Sequence, residues 1–349
     1  METEVFRVAL WVTSICNLKC KYCYEGIEKE SAYMNQEIAK SAIDYVISQM
    51  DQLKIKNCLM HFHGGEPLLS FNTVKYIINS IKQNNITDKD FSYSITTNGT
   101  ILDERIKEFL LDNFDTISIS LDGTQKVHDS NRIFHNGTGS HSIALRNGVE
   151  LLKHKNIRVR MTITPDNVSA FFDSVVFLIE SGFKLLVPAF DYFSDSWSNE
   201  LIETLRDQLI KTSEYLESHS EKDVIVYKIN KDDIAYKGEC NGGITNINID
   251  PFGNIFPCTY TVGKKEYICG TIFTGTYEEK IKEIQDLNHQ IVSDCISCNY
   301  YKFCPTSSCK LINRCITGSF LKASPVICAT ETVKMQLSKL KKIEFGGEK

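Results

Sequence analysis

Between residues 5 and about 220, six short apolar or alternating runs take turns with six segments of helical period, and this alternation limits the fold more tightly than any other feature. The runs span residues 5–13, 57–65, 91–98, 116–122, 157–164 and 184–190, and the helical segments 35–50, 72–83, 103–113, 142–153, 169–181 and 198–218. Six strand-to-helix units in sequence predict a parallel α/β fold, because parallel strands need crossovers and helices supply them. Strands buried on both faces read as continuous apolar runs, and three of these do not. Ser92, Ser94, Thr96 and Asn98 share one face of the third run, Thr116, Ser118, Ser120 and Asp122 one face of the fourth, and Arg158, Arg160, Thr162 and Thr164 one face of the fifth. If the apolar face packs on the helices, this polar face lines a lumen, and the fold is a hollow partial barrel built to hold a polar ligand. The alternative is an antiparallel sheet with one wet face, which the intervening helices disfavour.

Cysteine is the second constraint. The chain has 13 among 349 residues, with 42% hydrophobic and 24% charged residues and a formal charge of −5. This composition is that of an ordinary globular protein and gives no reason to expect nucleic acid or an anionic membrane as partner. No basic-then-apolar leader and no run of 18 uninterrupted apolar residues occurs, so a cytoplasmic chain is expected. A reducing compartment argues against disulfides and for metal. Cys16, Cys20 and Cys23 sit together, Cys58 stands alone on the helix side of its strand as a small core residue, and nine more lie from Cys240 to Cys328. Three thiolates spaced x3 then x2 can hold three irons of a cubane cluster and leave the fourth iron open, although they could also form half of a zinc site. The C-terminal set, Cys240, Cys258, Cys269, Cys295, Cys298, Cys304, Cys309, Cys315 and Cys328, implies a second metal-binding region, for which spacing alone does not exclude structural zinc.

Further motifs follow strands, where a parallel barrel places its chemistry. They are H-F-H-G-G-E-P at 61–67, T-T-N-G-T at 96–100, S-I-S-L-D-G at 118–123 and H-D-S-N-R at 128–132. Taken with the cysteine loop, this order resembles the radical S-adenosylmethionine (SAM) superfamily, and the C-terminal cysteines resemble its SPASM extension. The resemblance implies a partial (β/α)6 TIM-type barrel over residues 1–222 and a small cysteine-rich α+β domain over 223–349. It implies one 4Fe-4S cluster on Cys16, Cys20 and Cys23 whose open iron takes SAM. Tyr22, Gly64, Gly65, Glu66, Asn98, Ser120 and Arg132 become SAM binders, a hydroxyl and a guanidinium forming a sensible carboxylate clamp. Two auxiliary 4Fe-4S clusters are implied, one on Cys240, Cys258 and Cys309 with an open iron or with Cys269 or Cys315 as fourth ligand, the other on Cys295, Cys298, Cys304 and Cys328.

By the same resemblance the chain is a radical oxidoreductase that modifies or crosslinks side chains of a ribosomally made peptide. Anaerobic sulfatase maturation is the alternative; that branch carries an Asp directly after the cysteine matching Cys258, where this chain has Thr259. An alternative of another class, a non-catalytic iron-sulfur carrier or sensor, has no need of the G-G-E-P, T-N-G-T and Ser120/Arg132 motifs. Candidate acid–base residues are His63, Asp122, Asp129 and Tyr260, unranked by sequence. Expected partners are a precursor peptide or protein, an external electron donor such as flavodoxin or ferredoxin, and, because the barrel begins within the first ten residues, the C-terminal domain or a separate protein for leader recognition.

Overall fold

The protein's computed structural model describes residues 4–25, 30–84, 88–230 and 237–345. β1 (Val5–Trp11), β2 (Asn57–His63), β3 (Asp90–Thr97), β4 (Thr116–Ser120), β5 (Arg158–Ile163) and β6 (Leu185–Phe190) lie side by side in chain order, each parallel to the next, followed by the two-residue β7 (Ile225–Val226). The helices α1 (Gln36–Leu53), α2 (Phe71–Gln83), α3 (Glu104–Asn113), α4 (Gln125–Asn131), α5 (His141–Leu152), α6 (Phe171–Glu180) and α7 (Asn199–Ser218) connect them. Side-chain caps fix where several begin: Asn35 Oδ1 accepts from the Ile38 N–H and Asp103 Oδ1 from that of Ile106.

The period-two pattern divides the strands as expected. Phe6, Val8, Leu10, Met60, Phe62, Ile95, Ile117, Ile119 and Val159 are at most 1% exposed and form one core with Ala42, Val46 and Met50 of α1 and Ile77 and Ile78 of α2. Burial of this kind contributes about 1.5–3 kcal/mol for each large side chain. Cys58 lies in that core, 1% exposed, where burial pushes its thiol up to about 12. The opposite face carries His61, His63, Thr96, Ser120, Arg160 and Thr162, so the parallel strands do form a partial barrel with a polar interior.

Two features depart from the sequence pattern. α4 interrupts the connection from β4 to α5; its seven residues, Gln125 to Asn131, are too short and too polar to show a helical period. The sheet also does not stop at β1. β8 (Asn246–Ile249) pairs with β1 in parallel, Val8 opposite Ile247, and β9 (Asn254–Phe256), β10 (Gly270–Thr271) and β11 (Gly275–Thr276) continue it antiparallel. One eleven-stranded sheet thus runs through the position near residue 222 where the sequence changes character. Beyond it come α8 (Glu278–Asn288), α9 (Pro305–Ser308), α10 (Lys310–Thr317) and α11 (Pro325–Phe345). α11 begins where Ser324 Oγ accepts from the Ile327 N–H and Pro325 opens the first turn. Among the described residues no helix is long and apolar enough to cross a membrane.

Candidate active site

The cysteine loop leaves the end of β1 and is held from both sides by backbone. On one side the N–H groups of Gly65 and Glu66 donate to the carbonyls of Thr13 and Ile15, each at 2.9 Å. This contact explains the glycine pair: a Cβ on Gly64 would lie 2.1 Å from the Thr13 carbonyl oxygen, and one on Gly65 2.2 Å from that of Ile15. On the other side Lys19 and Lys21 donate to the carbonyls of Ile133 and Asn131, and His135 Nε2 stands 3.0 Å from the Cys16 carbonyl.

Each buried thiol of the loop has a donor aimed at it. Cys16 Sγ accepts from the Leu18 N–H at 3.4 Å and from Asn98 Nδ2 at 3.7 Å, and Cys20 Sγ from Arg132 Nη1 at 3.9 Å. Burial pushes Cys16 up to about 12 and raises Cys20, with Arg132 opposing the second shift. Thiols so placed ionise when a cation is there to receive them, which suits ligands of a metal cluster. A cube takes one thiolate on each iron, so its donors need not converge on a point; among the described residues no group of three or more His, Cys, Asp or Glu converges on a single ion.

The predicted SAM binders meet around this loop. Arg132 is 8% exposed, its guanidinium 5.2 Å from the Tyr22 ring centroid, and its Nε donates to Asp122 Oδ2 at 3.2 Å. The same oxygen accepts the Tyr22 hydroxyl, while Asp122 Oδ1 accepts the Thr162 N–H at 2.9 Å. His128 completes the cradle. It is fully buried and held down to about 3 chiefly by that burial, so the ring is neutral. Its Nδ1 accepts from the Asp122 N–H, its Nε2 therefore donates to Ser140 Oγ, and the serine hydroxyl donates to the Arg132 carbonyl at 2.8 Å. Glu66, also 0% exposed, accepts from the Leu68 N–H and Thr97 Oγ1 with one oxygen and from the Asn98 N–H with the other. Burial raises it to about 7. Both of its oxygens are thus engaged in setting the Asn98 turn, and Ser120 and Asn98 border the cavity beside them.

That cavity is about 420 Å³. One wall is aromatic: Tyr24 OH lies 3.3 Å from His63 Nε2, the Tyr24 ring 5.6 Å from Tyr260, and Tyr260 5.8 Å from Phe193, with the buried Trp11 behind His63 at 4.5 Å. Of the candidate acid–base residues, His63 and Tyr260 reach this space. Burial pushes the Tyr260 phenol up to about 12. Asp122 has no side-chain exposure and both of its carboxylate oxygens accept from protein donors, which commits it to holding Arg132, Tyr22 and β5 together. Asp129 lies away from the cavity, where its Oδ1 accepts the His141 N–H at 2.8 Å and its carboxylate fills the space beside Gly139. Sequence reasoning missed Tyr24, signalled by its place directly after Cys23, and gave no role to Arg160, which shares the cavity.

All thirteen cysteines are free thiols. Cys258 and Cys309 hydrogen-bond to each other, which pushes Cys258 up and holds Cys309 down, and Cys240 and Cys315 press on the same pair. Cys269 stands apart in the core, 1% exposed, with its thiol donating to the Ile255 carbonyl. Cys295, Cys298, Cys304 and Cys328 form a second group around Cys295.

Residues 12–173 match the family described as the Radical SAM superfamily. An uncharacterized protein of Methanocaldococcus jannaschii is 35% identical over 180 residues, 51% of this chain, and the match spans 60% of that protein's length. A cysteine-type anaerobic sulfatase-maturating enzyme of Clostridium novyi is 27% identical over 331 residues, 85% of this chain and 86% of that one. Among solved structures, native anSMEcpe with bound AdoMet and Cp18Cys peptide superposes with a TM-score of 0.80 at 19% identity, covering 98% of both chains, which shows a shared fold.

Proposed function

We propose, from the match of residues 12–173 to the Radical SAM superfamily, that this chain is a radical SAM enzyme that modifies or crosslinks side chains of a ribosomally made peptide. A bound 4Fe-4S cluster and SAM would supply radical chemistry, the capacity to take a hydrogen atom from a substrate side chain. Cys16, Cys20 and Cys23 would hold the cluster. Gly64, Gly65, Asn98, Ser120, Arg132 and Tyr22 would bind SAM, with Glu66 fixing the Asn98 turn from beneath. Cys240, Cys258 and Cys309 would carry one auxiliary cluster, with Cys315 in place for a fourth bond, and Cys295, Cys298, Cys304 and Cys328 the other. The Tyr24, His63 and Tyr260 wall would orient the side chain and exclude water, and His63 or Tyr260, which both border the cavity, would take a proton. An external one-electron donor of the flavodoxin or ferredoxin kind is required by this scheme.

The observation that carries the reading is the three-thiol loop, clasped by the Gly64–Glu66 turn and opening on a cavity large enough for a side chain. That a fold neighbour holds both AdoMet and a peptide supports the substrate class. Sulfatase maturation is the second reading, favoured by the similarity to the Clostridium novyi enzyme over 85% of this chain. Against it, the position after Cys258 holds Thr259, whose hydroxyl donates to Asn248 Oδ1 at 3.0 Å and offers no carboxylate. Anaerobic incubation with SAM and dithionite tests the proposal: 5'-deoxyadenosine accumulates, and stops when Cys16, Cys20 and Cys23 are all changed to Ala. A carrier or sensor leaves SAM intact, and formylglycine formed on a sulfatase-derived cysteine peptide would assign the second reading.

A further inference from the structure

Among the described residues that line the cavity, Arg160 is the arginine that belongs neither to the cysteine loop nor to the SAM-binding residues; the carboxylates of Glu25 and Asp191 border the same space. It sits on β5 directly opposite Ser120 of β4 and Val187 of β6, with its side chain exposed to the cavity. Among the described residues it has no ion pair, and the groups that press on its charge are the phenols of Tyr24 and Tyr260 and the cations Arg158 and Arg132. Arg132 is already paired with Asp122. Arg158, two residues back on the same face, adds a second positive charge below, and its Nε is buried without a hydrogen-bond partner. His61 of β2, which meets Ser94 and Thr96 of β3, is neutral, since burial and both arginines hold it down to about 4. An arginine open to the cavity, flanked by two phenols and two other cations, is placed to receive an anion.

We propose that Arg160, backed by Arg158, is a substrate subsite that receives a carboxylate of the peptide, next to the reacting side chain. This rests on the reading that the cavity takes a peptide. A guanidinium offers a planar fork of donors that matches a carboxylate, and the aromatic wall of Tyr24 and Tyr260 keeps water from competing. The register opposite Ser120 sets the subsite beside the residues that would bind SAM. The peptide therefore carries an acidic residue, or its own C-terminus, at or beside the modified position.

The test is binding, not turnover. Three probes are titrated into cluster-reconstituted protein saturated with SAM, followed by saturation-transfer NMR: the capped peptide acetyl-Gly-Ala-Glu-Ala-Gly-amide, its Gln counterpart, and the Gln peptide with a free C-terminal acid. One carboxylate peptide binds at least about tenfold more tightly than the capped Gln peptide; which one it is distinguishes side chain from terminus. The contrast disappears in Arg160→Gln and partly survives in Arg160→Lys, with melting temperatures checking that both variants fold. Equal binding of all three, or no binding of any, overturns the proposal. So does a contrast seen only without SAM, because Arg160 would then belong to the SAM carboxylate. Failure of wild-type protein to release 5'-deoxyadenosine would sink the proposed activity separately and leave the binding contrast to be judged by itself.

Discussion

Removing Asp122 should be among the most destabilising single changes in the barrel, and the structure says why. Its carboxylate has no exposure, its partner Arg132 has a side chain 10% exposed, and three donors from the cysteine loop, β5 and the segment after α4 end on it. Asp122→Ala leaves a guanidinium buried and unpaired, which costs about 3–5 kcal/mol, a large share of the roughly 5–15 kcal/mol that holds a domain folded. Arg132→Met leaves Asp122 two other donors, so it should cost less, about 2–3 kcal/mol. Because the second change removes the charge that the first strands, the double variant should be less destabilised than the sum by about 2–3 kcal/mol. Urea unfolding under anaerobic conditions, followed by far-UV circular dichroism, measures all three. Additivity within about 0.5 kcal/mol would refute the argument, since it would mean that Asp122 and Arg132 do not hold each other.

Three further outcomes follow from the geometry. Gly65→Ala drives a methyl group into the Ile15 carbonyl at 2.2 Å, so reconstituted protein should lose about four irons per chain while far-UV circular dichroism stays close to wild type. His61 is depressed to about 4 by burial and by Arg160 and Arg158. Between pH 6.5 and about 4 the unfolded chain then binds the extra proton, and stability falls as pH falls through that window by about 3 kcal/mol. His61→Asn should flatten this slope in pH-dependent urea midpoints, and an unchanged slope counts against it. Cys269→Ala should leave iron content as in wild type and lower the melting temperature, whereas Cys315→Ala should change the iron or the electron paramagnetic resonance signal of one auxiliary centre.

The barrel was legible because its information is local and periodic. Alternation along 91–98, 116–122 and 157–164 put Thr96, Ser120 and Arg160 on one face, and the structure has them there. The cysteine loop and its glycine partners were legible as motifs, but the reason for the glycines was not: it is the approach of Thr13 and Ile15, some 50 residues earlier in the chain. Asp122 and Asp129 read as possible bases since a carboxylate after a strand carries no label of what it will accept; only the folded chain shows that Tyr22, Arg132, Thr162 and His141 use them up. The pairing of β8 with β1 was invisible for a related reason. N-I-N-I spans four residues, and its partner lies some 240 positions away.

That last pairing has a consequence for anyone cutting the chain. A fragment ending near residue 222 would not be a tidy barrel awaiting an accessory; it would bare the backbone of Arg7 to Leu10 along the flank that Asn246 to Ile249 now covers, a raw edge on which other copies could polymerise. Nor could the cysteine-rich half be transplanted as a cassette, since Tyr260 on the reaction chamber's wall is its own residue, delivered two positions after Cys258.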